Sequence, residues 1–157
     1  MTTPWLTPDE QTAWLRFAAV LELLPGVLDS QLTRDEGLTH FDYFALAMLS
    51  EAPERTLRMT TLAGRTAATL PRLSRVMSRL ETAGYVARQP CPGDGRATNV
   101  VLTDQGMAKV VRAAPGHVGT VRSQVLDALR PEQVAQLSAI CAQLLPRLDP
   151  EGRMFAR

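Results

Sequence analysis

From Thr69 to Gly84 the chain spells a helix with two chemically opposite faces, and a turn-rich stretch follows it directly. Thr69 is placed to cap this helix, and Pro71 falls in its first turn, where a missing amide is tolerated. Leu70, Leu73, Val76, Met77 and Leu80 take one side. Arg72, Arg75 and Arg79 recur at steps of three and four residues on the other, and Ser74 and Ser78 complete the polar arc. Gly84 suits the position just past a helix end. Tyr85–Gln89 and Ala97–Leu102 are strand candidates. Between them Pro90-Cys91-Pro92-Gly93-Asp94-Gly95-Arg96 is dense in turn residues, which predicts a hairpin with a longer loop. A short helix capped by Thr60 and running through Arg65 precedes the Thr69 helix. Two short helices around a tight connection, followed by a basic-tipped hairpin, make a winged helix-turn-helix pattern.

The flanking segments are helical. Thr7-Pro8-Asp9-Glu10 has the form of a capping box with proline at the first helical position. Trp14, Phe17, Leu21, Leu24 and Leu28 then form an apolar stripe to about Gln31, with a kink expected at Pro25-Gly26. Thr39 caps a second helix over His40 to Glu51, ended by Pro53, and Leu57-Arg58-Met59 reads as a short extended piece. Thr103 caps a later helix that should break at Pro115-Gly116 and resume to about Leu129. Pro131-Glu132 opens a last one, striped by Val134, Leu137, Cys141, Leu144 and Leu148, with Pro146 expected to distort its end. The fold class is therefore mainly α with a small β component. Residues 1–35 and 113–157 make a helical region and 36–112 a winged lobe, joined in one integrated domain. The near-heptad stripes of both terminal helices suit pairing with a second copy.

Charge sharpens the picture. The 157-residue chain has a formal net charge of only +1. From Arg55 to Arg112, however, ten basic residues stand against three acidic ones, a local charge of +7. The remainder has seven basic and thirteen acidic residues. A basic middle between acidic ends is expected where one segment meets phosphates and the others do not. With one lysine against sixteen arginines, the preference for arginine itself carries little meaning.

The runs Met59-Thr60-Thr61-Leu62-Ala63, Leu73-Ser74-Arg75-Val76-Met77-Ser78-Arg79-Leu80-Glu81 and Gly84-Tyr85-Val86-Ala87-Arg88 resemble the MarR (multiple antibiotic resistance regulator) family of transcription regulators. Asp94-Gly95-Arg96 and Leu102-Thr103-Asp104-Gln105-Gly106 are similar to that family's Asp-x-Arg wing and its Leu-Thr-x-x-Gly exit into the next helix. The resemblance covers nearly the whole chain. It implies a homodimer, built through the terminal helices, that binds a pseudo-palindromic operator in double-stranded DNA and acts as a repressor. Thr60, Thr69, Pro71, Arg72, Ser74, Arg75, Arg79, Asp94 and Arg96 are the expected DNA contacts. Arg96 would enter the minor groove, braced by a salt bridge from Asp94. The resemblance also implies a small phenolic or lipophilic effector, for which Phe17, Phe44, Met48 and His117 are the candidate lining.

Other function classes find little support. There is no Gly-x-Ser-x-Gly, no phosphate-cradling glycine loop and no spaced His–Cys or His–Ser pair, so the chain is expected to be no enzyme and to hold no cofactor. His40 and His117 lie far apart in sequence without clustered acids or thiols, so no metal site is expected. No membrane span and no basic, apolar leader is visible, which points to the cytoplasm. Cys91 stands near Arg88 and Arg96 at the hairpin tip, whereas Cys141 falls on a core stripe. Redox control through Cys91 and a winged-helix module for an acidic protein partner stay open as alternatives.

Overall fold

The computed structural model describes residues 3–155. Met1, Thr2, Ala156 and Arg157, which the terminal helical region was expected to include, lie outside the described residues. Six helices and a three-stranded sheet follow in the order α1 (Pro8–Glu36), α2 (His40–Glu51), β1 (Thr56–Arg58), α3 (Met59–Arg65), α4 (Leu70–Thr82), β2 (Val86–Cys91), β3 (Asp94–Leu102), α5 (Asp104–Gln124) and α6 (Pro131–Leu148). Short 3-10 turns occupy Pro53–Arg55, Leu126–Ala128 and Arg153–Phe155. This is a winged helix-turn-helix lobe carried on long helices, the fold class expected.

Local signals placed most boundaries. The capping boxes of Thr7 with Glu10 and of Thr39 with Asp42 are both formed, so four backbone donors at two helix starts are satisfied reciprocally. Thr69 and Thr103 accept from the amides of Arg72 and Gly106. Four expectations are corrected. Helix α1, with Pro25 inside it, runs beyond the expected end near Gln31 to Glu36 and ends on Gly37, whose φ of 66° is the left-handed cap. Its last turns are anchored in the core by Leu28 and Leu32, which is where the helix is held. Helix α5 likewise continues through Pro115, and the chain then turns in 3-10 form rather than reaching Leu129 as α-helix. Arg58, not Thr60, is the N-cap residue of α3, so Thr60 lies in its first turn. The hairpin is tighter than a seven-residue loop: Cys91 faces Asp94, leaving Pro92-Gly93 as the turn, with Gly93 at a φ of 78°.

The sheet has the order β1-β3-β2, all antiparallel, so the extended piece before α3 becomes a third strand on β3. Leu57, Val86, Val100 and Leu102 turn inward and meet Leu62 of α3, Leu73, Met77 and Leu80 of α4, and Leu46 and Leu49 of α2 in a single core. That core extends to Leu32 of α1 and to Val110 and Ala113 of α5, which is how the winged lobe is fastened to the long helices. A buried ion pair reinforces the junction, with Lys109 Nζ 2.9 Å from Glu36 Oε2.

Away from the junction the long helices are bare. Helix α6 has no buried residue, and Leu137, Ile140 and Leu148 are all exposed. Trp14, Leu21 and Leu23 on the first half of α1 are exposed as well.

Candidate nucleic-acid interface

Helix α4 is the centre of the basic surface, and it is clamped on both flanks. At about 100° per residue, Arg72 and Arg79 fall on one flank, Ser78 and Glu81 towards the other, and Pro71 and Arg75 between them, facing away from the buried Leu73, Met77 and Leu80. On the first flank Arg79 Nη2 and Nη1 donate to Asp42 Oδ1 and Oδ2 at 2.6 and 3.1 Å, and the Arg72 guanidinium lies 4.2 Å from the centre of the Phe41 ring. On the second flank Arg88 of β2 reaches back: its Nη2 donates to Ser78 Oγ at 2.9 Å and to Glu81 Oε1 at 3.2 Å. The Arg88 amide also donates to Glu81 Oε2 at 2.7 Å. That amide, with the guanidinium adding to it, holds the Glu81 carboxyl below its usual range. Wing and helix are thereby set at a fixed distance.

The outward surface is free of such ties. Among the described residues Arg75 makes no side-chain hydrogen bond or ion pair, and it is exposed, as are Pro71, Thr69 and Thr60. Ser74 is half-buried, with its carbonyl taking a 3.0 Å bond from Ser78 Oγ. Arginine fits either the guanine edge in a major groove or a phosphate, and a rigid helix presents it in one place.

At the wing tip Asp94 and Arg96 are both exposed, but the expected salt bridge between them is absent. Asp94 Oδ1 instead accepts the backbone amide of Arg96 at 3.1 Å. The carboxylate is spent on the backbone of the tight turn, which it reaches across two residues. Asp94 thus shapes the turn and leaves the Arg96 guanidinium unengaged. Cys91 ends β2 opposite Asp94 and is half-buried.

The four residues expected to line an effector pocket do not come together as one set. Phe44 and Met48 border a cleft with Arg65 of α3 and with Met154 and Phe155, which return from the end of α6. Arg65 Nε is buried there without a partner. His117 is not among the residues lining that cleft; its ring centre is 4.6 Å from Tyr43 and 5.9 Å from His40. Phe17 is not among the residues lining the cleft; it sits on the exposed first half of α1, 6.5 Å from the Trp14 ring. No group of three or more potential metal ligands occurs among the described residues, and no described helix is long and apolar enough to cross a membrane.

Sequence reasoning missed Asp42, Phe41, Arg88 and Glu81. Asp42 had one local signal, its place three residues after Thr39, but that marks a capping box and says nothing of Arg79.

A known structure with the same fold decides the family. Sco3205 of Streptomyces coelicolor, a MarR family transcriptional regulator solved in complex with DNA, is 43% identical to this chain, with a TM-score of 0.91 over 95% of this chain and 93% of its own. The chain belongs to the MarR family. The MarR family sequence model itself matches residues 36–97, which hold α2 through the wing tip. AbsC of the same organism, also a MarR family regulator, is 37% identical, with a TM-score of 0.88 over 93% of this chain and 98% of its own. The regulator PecS of Dickeya dadantii is 35% identical over 68 residues, a match spanning 43% of this chain and 40% of PecS. All three of these relatives are transcriptional regulators.

Proposed function

We propose that this MarR-family protein is a homodimeric, cytoplasmic repressor that binds a pseudo-palindromic operator through α4 and the wing of each subunit. The observation that carries the reading is the exposed, unengaged Arg75 on a helix clamped from both sides. Thr60, Thr69, Pro71 and Ser74 line the same approach, and Arg96 extends from the wing towards an adjacent minor groove. Sco3205, 43% identical, is a relative seen with DNA. The dimer rests on the bare apolar faces of α1 and α6, which a monomer would leave in water. Two half-sites about one helical turn apart, roughly 10 bp, would then face two α4 helices. A small phenolic or lipophilic effector in the cleft of Phe44, Met48 and Arg65 would lower operator affinity if it favoured a spacing of the lobes that DNA does not.

Selection of bound duplexes from a random pool, followed by anisotropy titration, tests this. Arg75→Ala should weaken the selected operator about 10- to 100-fold and relax the base preference. Arg96→Ala should weaken binding more evenly across sequences. Wild-type binding by both variants would overturn the assignment. Sedimentation should give a dimer, and Ile140→Arg should shift it towards monomer.

A further inference from the structure

The first turn of α2 holds the reading helix from behind. His40, Phe41 and Asp42 are consecutive, and two of them engage arginines of α4: Asp42 binds Arg79 with two hydrogen bonds, and Phe41 lies under Arg72. The Asp42 side chain is 1% exposed, whereas that of Arg79 is 55% exposed. A carboxylate so buried needs partners for both oxygens, and it has them: Oδ1 and Oδ2 take Arg79, and Oδ2 also takes the Thr39 amide at 2.9 Å. The same group therefore caps α2 and grips α4. The planar guanidinium fork fits this carboxylate in one orientation, so the pair sets the rotation of α4 about its own axis as well as its distance from α2. Arg72 and Arg79 share one flank, so the two contacts resist the same rotation.

We propose that Asp42 is a positioning residue for operator reading, which through Arg79 fixes the angle at which Arg75 meets the bases. Arg79, by position one of the arginines on the basic helix, is a strut and not a reader. This assignment rests on α4 being the DNA-reading helix. It goes beyond that reading in giving specificity to a buried residue that DNA does not touch.

The test uses the full-length protein with the selected operator and a scrambled duplex of equal length, titrated at several salt concentrations. Arg79→Lys is the decisive variant, because lysine keeps the charge but cannot reproduce the two-pronged grip. If Arg79 is a strut, Arg79→Lys and Arg79→Gln lose about tenfold on the operator and little on the scrambled duplex, and the salt slope stays as in wild type. Asp42→Asn should give the same loss, and the double variant Asp42→Asn/Arg79→Gln should be no worse than either alone. Circular dichroism shows whether Asp42→Asn folds; if it does not, the two Arg79 variants decide alone. The proposal is overturned if Arg79→Lys binds like wild type while Arg79→Gln weakens both duplexes and lowers the salt slope by about one, the mark of a phosphate contact. Wild-type discrimination by a folded Asp42→Asn overturns it equally. Arg75→Ala serves as the control: undiminished operator binding there would remove the reading of α4 itself.

Discussion

His117 of α5 stacks on His40 of α2, ring centres 5.9 Å apart and planes 27° from parallel, although 77 positions separate them in the chain. Phe44 continues the stack at 6.3 Å from His40, and Tyr43 closes on His117 at 4.6 Å. This small aromatic column ties a long helix to the winged lobe. Burial lowers both imidazoles below the usual 6.5, with the His40 charge adding to the effect on His117 and Asp29 partly opposing it at His40.

Acid should therefore loosen this junction. A histidine whose folded pKa is lowered binds fewer protons when folded than when unfolded, so its stabilising contribution is complete above about pH 6.5 and falls as pH drops from there towards the folded value. Melting temperatures measured between about pH 7.5 and 5.5 should decline. His117→Phe removes one titrating ring and a buried, unpartnered Nδ1, and should flatten the decline. A wild-type melting temperature that holds constant over that range would contradict this.

Gly106 should not accept even one added carbon. A Cβ built there would lie 2.1 Å from the Tyr85 carbonyl oxygen and 2.6 Å from Leu102 Cδ1. The first of these is backbone at the root of the wing and cannot rotate away. Gly106→Ala is expected to destabilise the protein by about 1–3 kcal/mol, read as a lower urea midpoint. Unchanged unfolding would show that the wing root yields more easily than this packing implies.

Glu36 accepts Lys109 at 2.9 Å and Arg112 at 3.0 Å, and these partners, Lys109 foremost, hold its carboxyl below the ordinary 4.5. The Lys109 side chain is 7% exposed, so loss of the carboxylate would strand a buried ammonium on the Glu36 carbonyl alone. Glu36→Gln should lower stability by about 2 kcal/mol near neutral pH. The sign with pH is the same as for the histidines and only the window differs: a carboxyl with a lowered folded pKa stabilises above about 4.5 and loses that contribution as pH falls through its folded value. Urea unfolding at about pH 7 and pH 3.5 should show the gap between wild type and variant closing in acid. A gap that is equally wide at both would count against the ion pair.

Much of the fold was legible because its signals are local. Helix α2 has the boundaries expected from Thr39 and Pro53, and α4 begins after Thr69 as its cap and proline predict. Alternation and turn residues located the hairpin. The misreadings have a common cause. Pro115 was treated as a break and α1 as ending near Gln31 on local grounds, yet α5 passes through Pro115 and α1 runs on to Glu36, both helices being anchored in the core on their inner faces. At the wing, the family resemblance implied an Asp94–Arg96 salt bridge, but the carboxylate accepts the Arg96 backbone amide in the turn instead.

What the sequence determined by itself was the pattern: capped helices, a hairpin, a basic segment between acidic ends, and an arginine row on one helix face. Those follow from periods and charges that neighbouring residues carry. Which arginine is free is a different kind of fact. Asp42 meets Arg79 across 37 residues, Arg88 meets Ser78 across 10, and Lys109 meets Glu36 across 73. Each pairing depends on how α2, α4, the wing and α5 pack around one core, because burial is what obliges Asp42 to take a partner. Only the tertiary structure could separate Arg75, which faces outward, from Arg79, which is held.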